Sequence, residues 1–283
     1  MTRLRPGCKI NLGLKITGRR KDGYHLLASL FVPLSFPADT LVLEKTNGVG
    51  FILECDANFG RENILDKTYS FFCEKTGFNP GVRAILIKRI PTGAGLGGGS
   101  SDAASFLKWL NQESGSPLAE GELNETAAAI GADVPFFLLN KPAFVQGIGE
   151  IITPVENFPR LNIVLAFPEV QIGTAWAFKT YDEEYAPPVL TEKNLTNPAA
   201  MDREFLPGQR GIPLPANDLE KTVLKHFPQL GELKSLLLEY GASGAGMSGS
   251  GSAMYGIYDS GEKALQAARS LRKRFKYVYF AKT

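Results

Sequence analysis

Pro91-Thr92-Gly93-Ala94-Gly95-Leu96-Gly97-Gly98-Gly99-Ser100-Ser101 decides how this chain is read, because it sets five glycines in seven positions between an apolar run and a helical pattern. Glycine has no Cβ, so the backbone can take positive φ and come close to a ligand. The first amides of a following helix lack internal partners and lie at the positive end of its dipole. Together these features predict an anion seat, with phosphate as its occupant. The flanks agree: residues 84–90 suit a largely buried strand. Residues 102–111 put Ala103, Phe106, Leu107 and Leu110 at helical spacing, with Ser100 or Ser101 as the expected cap.

Three other readings of the same stretch compete with this one. Gly93, Gly95 and Gly98 spell G-x-G-x-x-G, the fingerprint of a dinucleotide-binding turn. So short a pattern arises by chance in a glycine-rich run, and that turn opens a βαβ unit instead of following a proline. A Walker A loop is excluded, since Gly-Lys-Ser and Gly-Lys-Thr are both absent. A flexible linker is disfavoured by the apolar flanks.

Composition bounds the function. The chain has 283 residues, 44% apolar and 21% charged, with a net charge of +2, which allows a substantial core in one or two domains. Near-neutral charge gives no basic field for nucleic acid. Cys8, Cys55 and Cys73 are odd in number and lack C-x-x-C spacing, so neither a disulfide framework nor a zinc site is indicated. No apolar run is long enough to span a bilayer, and the first residues lack a signal-peptide core. A bacterial cytoplasm is therefore expected, with no nucleic-acid or membrane partner; oligomeric state is left open.

Along the chain, strands are expected at 8–17, 26–36, 40–44 and 50–55. Next come a helix over 63–75, the strand at 84–90, the glycine loop with its helix, and a helix over 118–130 stopped by Gly131. The pattern restarts with a strand at 161–167, which puts a domain boundary near residue 155. Residues 182–215, with six prolines, read as an irregular excursion. Helices at 217–226, 230–240 and 261–274 and strands at 253–258 and 277–280 complete an α+β second half.

Further candidates lie outside the loop. Gly241, Gly244, Gly246, Gly249 and Gly251 interleave with Ser243, Ser248, Ser250 and Ser252, and a second such cluster suggests a ligand shared with the first. Alternation in the first strand puts Lys9, Asn11, Gly13 and Lys15 on one face, which taken alone would be solvated. Asp22-Gly23 suits a hairpin turn. Asp133, in Gly131-Ala132-Asp133-Val134-Pro135, would by default cap a short helix beside the proline.

Taken together, Pro91 to Ser101, Gly131 to Pro135 and Gly241 to Ser252 resemble the motifs of the galacto-, homoserine, mevalonate and phosphomevalonate (GHMP) kinases. Lys9-Ile10-Asn11-Leu12, Gly18-Arg19-Arg20-Lys21-Asp22-Gly23-Tyr24-His25 and Gly97-Gly98-Gly99-Ser100-Ser101 resemble the branch acting on 4-diphosphocytidyl-2-C-methyl-D-erythritol, almost end to end. The resemblance implies a two-lobed α+β fold: a ribosomal S5 domain 2-like, ATP-binding lobe at 1–155 and a ferredoxin-like lobe at 156–283. It implies ATP-dependent phosphorylation of that compound's tertiary 2-hydroxyl, a step of the non-mevalonate isoprenoid pathway. Asp133 would take the hydroxyl proton, and Lys9 would hold that carboxylate ionised. Asn11, Tyr24, His25, Thr174 and Phe178 would line the substrate pocket, with Tyr24 and Phe178 as stacking faces and His25 as a hydrogen-bonding partner. Asn63 and the loop Pro91, Thr92, Gly93, Ala94, Gly95, Leu96, Gly97, Gly98, Gly99, Ser100 and Ser101 would hold ATP, with Ser101 as ligand to Mg²⁺. The proline-rich 182–215 departs from the family pattern. Two rivals stay open: a GHMP kinase for homoserine, mevalonate or a sugar, and a nucleotide-sensing module without turnover.

Overall fold

The computed structural model describes residues 1–57, 63–186 and 216–283. The expected excursion at 182–215 therefore lies outside the described residues from 187 onward, and its first residues belong to a helix. In chain order the first elements are β1 (Thr2–Leu4), β2 (Cys8–Arg19), β3 (His25–Leu34), β4 (Thr40–Thr46), β5 (Phe51–Cys55), α1 (Ile64–Thr76), β6 (Gly81–Ile87), α2 (Gly98–Glu113), α3 (Glu120–Ile130) and α4 (Val134–Leu139). There follow β7 (Ala143–Gly147), β8 (Ile151–Pro154), β9 (Asn162–Phe167), α5 (Thr174–Tyr185), α6 (Asp218–His226), α7 (Pro228–Glu239), β10 (Gly244–Met247), β11 (Met254–Tyr258), α8 (Gly261–Leu271) and β12 (Tyr277–Lys282).

These elements form two compact, discontinuous units. One comprises Met1–Cys8, Pro37–Ile90 and Gly97–Lys141; the other comprises Lys9–Phe36, Pro91–Leu96 and Pro142–Thr283. This is not a single cut near residue 155. Leu14 and Ile16 of β2 share a core with Leu219, Val223 and Leu233, and Leu14 bridges to Asn217, so the second strand groups with the C-terminal half.

In the first unit the strand order is β1-β4-β6-β5, with β4 antiparallel and β5 parallel to β6. Leu41 and Leu43 face Leu86 and Ala84 across the register, all buried, as period-two alternation requires. Asn63 caps α1 in a capping box with Asp66, and Gly77 ends it in the left-handed conformation. The strand expected at 84–90 is displaced to 81–87. The helix after the glycine loop starts at Gly98, not near Asp102. Its cap is Gly97, at φ 68°, instead of Ser100 or Ser101. The early start follows from packing: a Cβ on Gly98 would lie 2.8 Å from Ile90 Cγ2, so glycine lets the first turn sit against Ile90, three residues beyond the end of β6. α2 then buries Ala103, Phe106, Leu107 and Leu110 as the periodicity predicts.

The second unit holds two sheets, β2-β3-β7-β8 and β10-β11-β9-β12. The latter is antiparallel throughout, and its chain order β9, helices, β10, β11, α8, β12 is the β-α-β-β-α-β arrangement of a ferredoxin-like fold. β10 falls inside the second glycine cluster, where small residues carry no strand signal. Its order comes from pairing with β11, from Gly244↔Ile257 to Met247↔Met254.

Candidate active site

The second unit brings several of the candidate residues together around β2. The polar face of that strand is buried at Lys9, which is 4% exposed, at Asn11, which is 1% exposed, and at Gly13, while Lys15 further along it is exposed as expected. Lys9 Nζ donates to Asn11 Oδ1 at 2.5 Å and lies 4.4 Å from the centre of the Phe31 ring, an attractive placement for a cation. Asn11 Nδ2 donates to Ser29 Oγ at 2.9 Å, and Ser29 Oγ donates to Gly13 O at 2.5 Å. Asn11 is thereby fixed from both ends of its amide.

The two glycine clusters meet here. Ser248 Oγ accepts from Asn11 N at 3.2 Å and donates to Gly95 O at 2.9 Å. Lys9 N donates to Leu96 O at 2.9 Å, and Ala253 N to Ala94 O at 3.1 Å. Gly93 and Gly95 have φ of 69° and 73°. A Cβ on Gly95 would fall well under 3.0 Å from Ser248 O, so this approach of backbone to backbone is open to glycine alone. Pro91 and Thr92 precede this contact in the same loop segment.

A second cluster forms at the β2–β3 turn. Gly23, at φ 92°, closes the hairpin, with Arg20 N donating to Tyr24 O at 2.7 Å. Tyr24 is 62% exposed. His25 stacks on Phe178 of α5, with ring centres 4.6 Å apart and planes at 25°. His25 Nε2 lies 2.6 Å from Asp182 Oδ1, and Arg19 forms an ion pair with Asp182 Oδ2 at 3.2 Å. One face of Phe178 is thus taken by His25. Thr174, the first residue of α5, shares a 3.0 Å hydrogen bond with Ser250. Asp182 was not anticipated. It stands four residues after Phe178 and so on the same helix face, a signal legible only once α5 is known to be a helix.

The remaining candidates lie in the first unit. Asn63 Oδ1 accepts from Leu65 N at 3.0 Å, the helix-cap role that was the alternative to an adenine contact. Gly97 to Ser101 form the cap and first turn of α2, and Ser101 is 4% exposed. Asp133 occupies the N-cap position of α4 at φ −87° and makes no side-chain capping hydrogen bond, so capping does not account for its carboxylate.

Behind this first turn is a buried ion cluster that no sequence pattern announced. Lys88 Nζ donates to Asp102 Oδ2 at 2.7 Å and also to Asp39 Oδ2. Asp39 is fully buried and further accepts from Arg89 N at 2.5 Å and Ile90 N at 2.8 Å. Asp102 Oδ1 is buried without a hydrogen-bond partner. Burial, and secondarily the neighbouring Asp39, push the Asp102 carboxyl up to about 7 against the pull of Lys88. Desolvation draws the Lys88 ammonium down, but the two carboxylates outweigh it and its pKa is raised. One cation between two carboxylates leaves a surplus negative charge, which a proton on Asp102 removes.

The GHMP kinases N terminal domain matches residues 63–141, and the GHMP kinases C terminal domain matches residues 196–276. The 4-diphosphocytidyl-2-C-methyl-D-erythritol kinase of Nitratidesulfovibrio vulgaris is 39% identical over 279 residues, covering 98% of this chain and 96% of the relative. The enzyme of the same name from Lawsonia intracellularis is 41% identical, with 89% and 87% covered. A crystal structure of 4-(cytidine 5'-diphospho)-2C-methyl-D-erythritol kinase superposes with a TM-score of 0.81 at 38% identity, covering 99% of this chain and 98% of that one. Homoserine kinase from Cytophaga hutchinsonii, at 18% identity and a TM-score of 0.70 over 99% of this chain and 93% of that one, shares the fold.

Proposed function

The chain belongs to the 4-diphosphocytidyl-2-C-methyl-D-erythritol kinases, a branch of the GHMP kinases, and on that premise we propose that it transfers the γ-phosphoryl group of ATP to the tertiary 2-hydroxyl of that alcohol. The observation that carries the mechanistic reading is the junction of the two glycine clusters through Ser248, with Lys9 and Asn11 held beside it.

Phosphoryl transfer asks a protein chiefly to position the reactants and to offset charge on the transferred group. The amides of residues 91–101 hold the triphosphate, and Asn63 stands near the adenine. Asp133 takes the proton of the attacking hydroxyl, a role that a positioned carboxylate can fill. Lys9 orients the hydroxyl and favours the ionised aspartate. Tyr24 and Phe178 offer stacking faces to the cytosine, and Asn11 and Thr174 line the same pocket. With Nε2 of His25 engaged by Asp182, Nδ1 is the ring atom that meets the base.

Mg²⁺ bound with the nucleotide supplies further neutralisation of phosphate charge. Ser101, whose hydroxyl is an oxygen donor of the kind a hard cation prefers, would be its protein ligand. Among the described residues no group of three His, Cys, Asp or Glu is placed to hold a metal by itself. Cys8, Cys55 and Cys73 are all thiols, in keeping with a reducing cytoplasm as the proposed compartment. No helix among the described residues is long and apolar enough to cross a membrane.

ADP release from purified protein tests the proposal, with the cytidylyl alcohol compared against homoserine, mevalonate and galactose. A kcat/KM roughly 5–150-fold higher for the cytidylyl alcohol is expected, because a base stacked on aromatic rings contributes about 1–3 kcal/mol that the other alcohols cannot obtain. Equal rates for all four would reject the substrate, and no ADP release with any of them would reject the activity.

A further inference from the structure

The cluster of Asp39, Lys88 and Asp102 sits at both stems of the glycine loop, with Lys88 just before it, Asp102 just after it and Asp39 brought in from a distant part of the chain. Ile90, the last residue before the loop, has its backbone N–H held by Asp39 Oδ1 at 2.8 Å, and Arg89 N is held by the same oxygen at 2.5 Å. Asp102, in the first turns of α2 after the loop, is held by Lys88 Nζ at 2.7 Å. Lys88 also donates to Asp39, so a continuous chain of charge-assisted hydrogen bonds runs from one stem to the other. An independent contact joins the same stems, because Gly98 packs on Ile90 too closely for any side chain.

Such a cluster is not what stability alone selects, since burying three charges is commonly no better than burying apolar groups of the same size. Its directional bonds instead fix two pieces of backbone relative to each other. We propose that Asp39, Lys88 and Asp102 are positioning residues for phosphoryl transfer, clamping the first turn of α2 to the Lys88–Ile90 segment so that the amides of Gly98 to Ser101 meet the nucleotide phosphates at bonding distance. The proposal rests on the kinase reading for the identity of the ligand.

The test compares Lys88→Met, Lys88→Arg and Asp102→Asn with wild type in three measurements: thermal midpoint, affinity for MgADP by calorimetry, and steady-state kinetics with ATP and the cytidylyl alcohol each varied. Misplacing a binding group by about 1 Å can lower a rate on the order of 10²-fold, so folded Lys88→Met should lose roughly 10–100-fold in kcat/KM for ATP. Its MgADP affinity should fall in step, while KM for the alcohol stays within about twofold of wild type. Lys88→Arg, which keeps a cation and adds donors, should recover most of both losses. A lowered melting point with MgADP affinity and kcat/KM for ATP unchanged would overturn the proposal, as would equal losses toward both substrates or no recovery with arginine. Should Lys88→Met fail to fold, Asp102→Asn keeps the shape of the side chain and is judged by the same split between ATP and alcohol. Wild-type protein that binds MgADP but phosphorylates none of the alcohols would sink the activity, and the clamp would then stand or fall on the MgADP shift alone. Wild type that binds no MgADP would overturn both.

Discussion

Gly95→Ala isolates the close approach of the two glycine clusters. At φ 73° an alanine pays the steric penalty of the left-handed region, about 1–2 kcal/mol. Its Cβ would also fall well under 3.0 Å from Ser248 O and 3.2 Å from Gly251 O, both backbone atoms that cannot rotate aside. Relieving such overpacking costs about 1–3 kcal/mol, and moving Gly95 away from Ser248 gives up a hydrogen bond worth about 1 kcal/mol. Gly93→Ala is the control. It has nearly the same φ, 69°, but its nearest neighbour would be Gln171 Cγ at 3.9 Å, an ordinary contact. Gly93→Ala should therefore cost only the backbone penalty, and Gly95→Ala about 2–4 kcal/mol more. Urea unfolding of both variants measures the difference. Steady-state kinetics on the folded fraction should show kcat/KM for ATP lower by roughly 10²-fold in Gly95→Ala, because the loop has shifted by a sizeable part of an ångström. Equal destabilisation of the two variants, within about 0.5 kcal/mol, would refute the steric account.

Asp133→Asn should retain MgADP affinity and lose on the order of 10²–10⁴ in kcat, the usual contribution of a positioned base, measured by ADP release at saturating substrates; a kcat within about twofold of wild type would remove Asp133 from proton transfer. Asp102 makes stability depend on pH with a definite sign. Its native pKa of about 7 exceeds the ordinary 3.8, so the native state binds the proton more tightly than the unfolded chain. That stabilisation is full below about pH 4 and is lost as pH rises through about 7; at about 1.36 kcal/mol per unit the loss is about 4 kcal/mol. Urea midpoints at pH 5 and pH 8 should differ less in Asp102→Asn than in wild type, and an unchanged difference would place the titrating group elsewhere.

How much of this was legible in the sequence depended on whether the cause was local. The loop at 91–101 could be read because conformational freedom is a property of glycine itself, and the structure places Gly93, Gly95 and Gly97 in the left-handed region that glycine favours. The helices with a continuous apolar stripe were found, with ends off by a few residues where packing set the boundary, as at Gly98. α5 and β10 were missed for opposite reasons. α5 buries only Ala177 and Thr180, which leaves it almost no periodic signal, and it runs into a proline-rich stretch. β10 is fully buried but consists of Gly244, Ala245, Gly246 and Met247, whose strand character comes from the partner and not from propensity.

The candidate site divides along the same line. Residues that would touch a ligand sit in recognisable local patterns, whereas those that hold them in place come from distant segments: Asp39, Lys88 and Asp102 from three parts of the chain, and Asp182 opposite His25 across 157 positions. Ser248 shows why a motif cannot be converted directly into contacts. A hydroxyl carries one proton, and that of Ser248 is given to Gly95 O while an oxygen lone pair accepts from Asn11 N. Its donor is spent on joining the two loops, so a ligand could draw on it only by parting them. The cluster of glycines and serines at 241–252 therefore contributes to the site first by shape and backbone, and a count of its hydroxyls would overstate its capacity to bind phosphate.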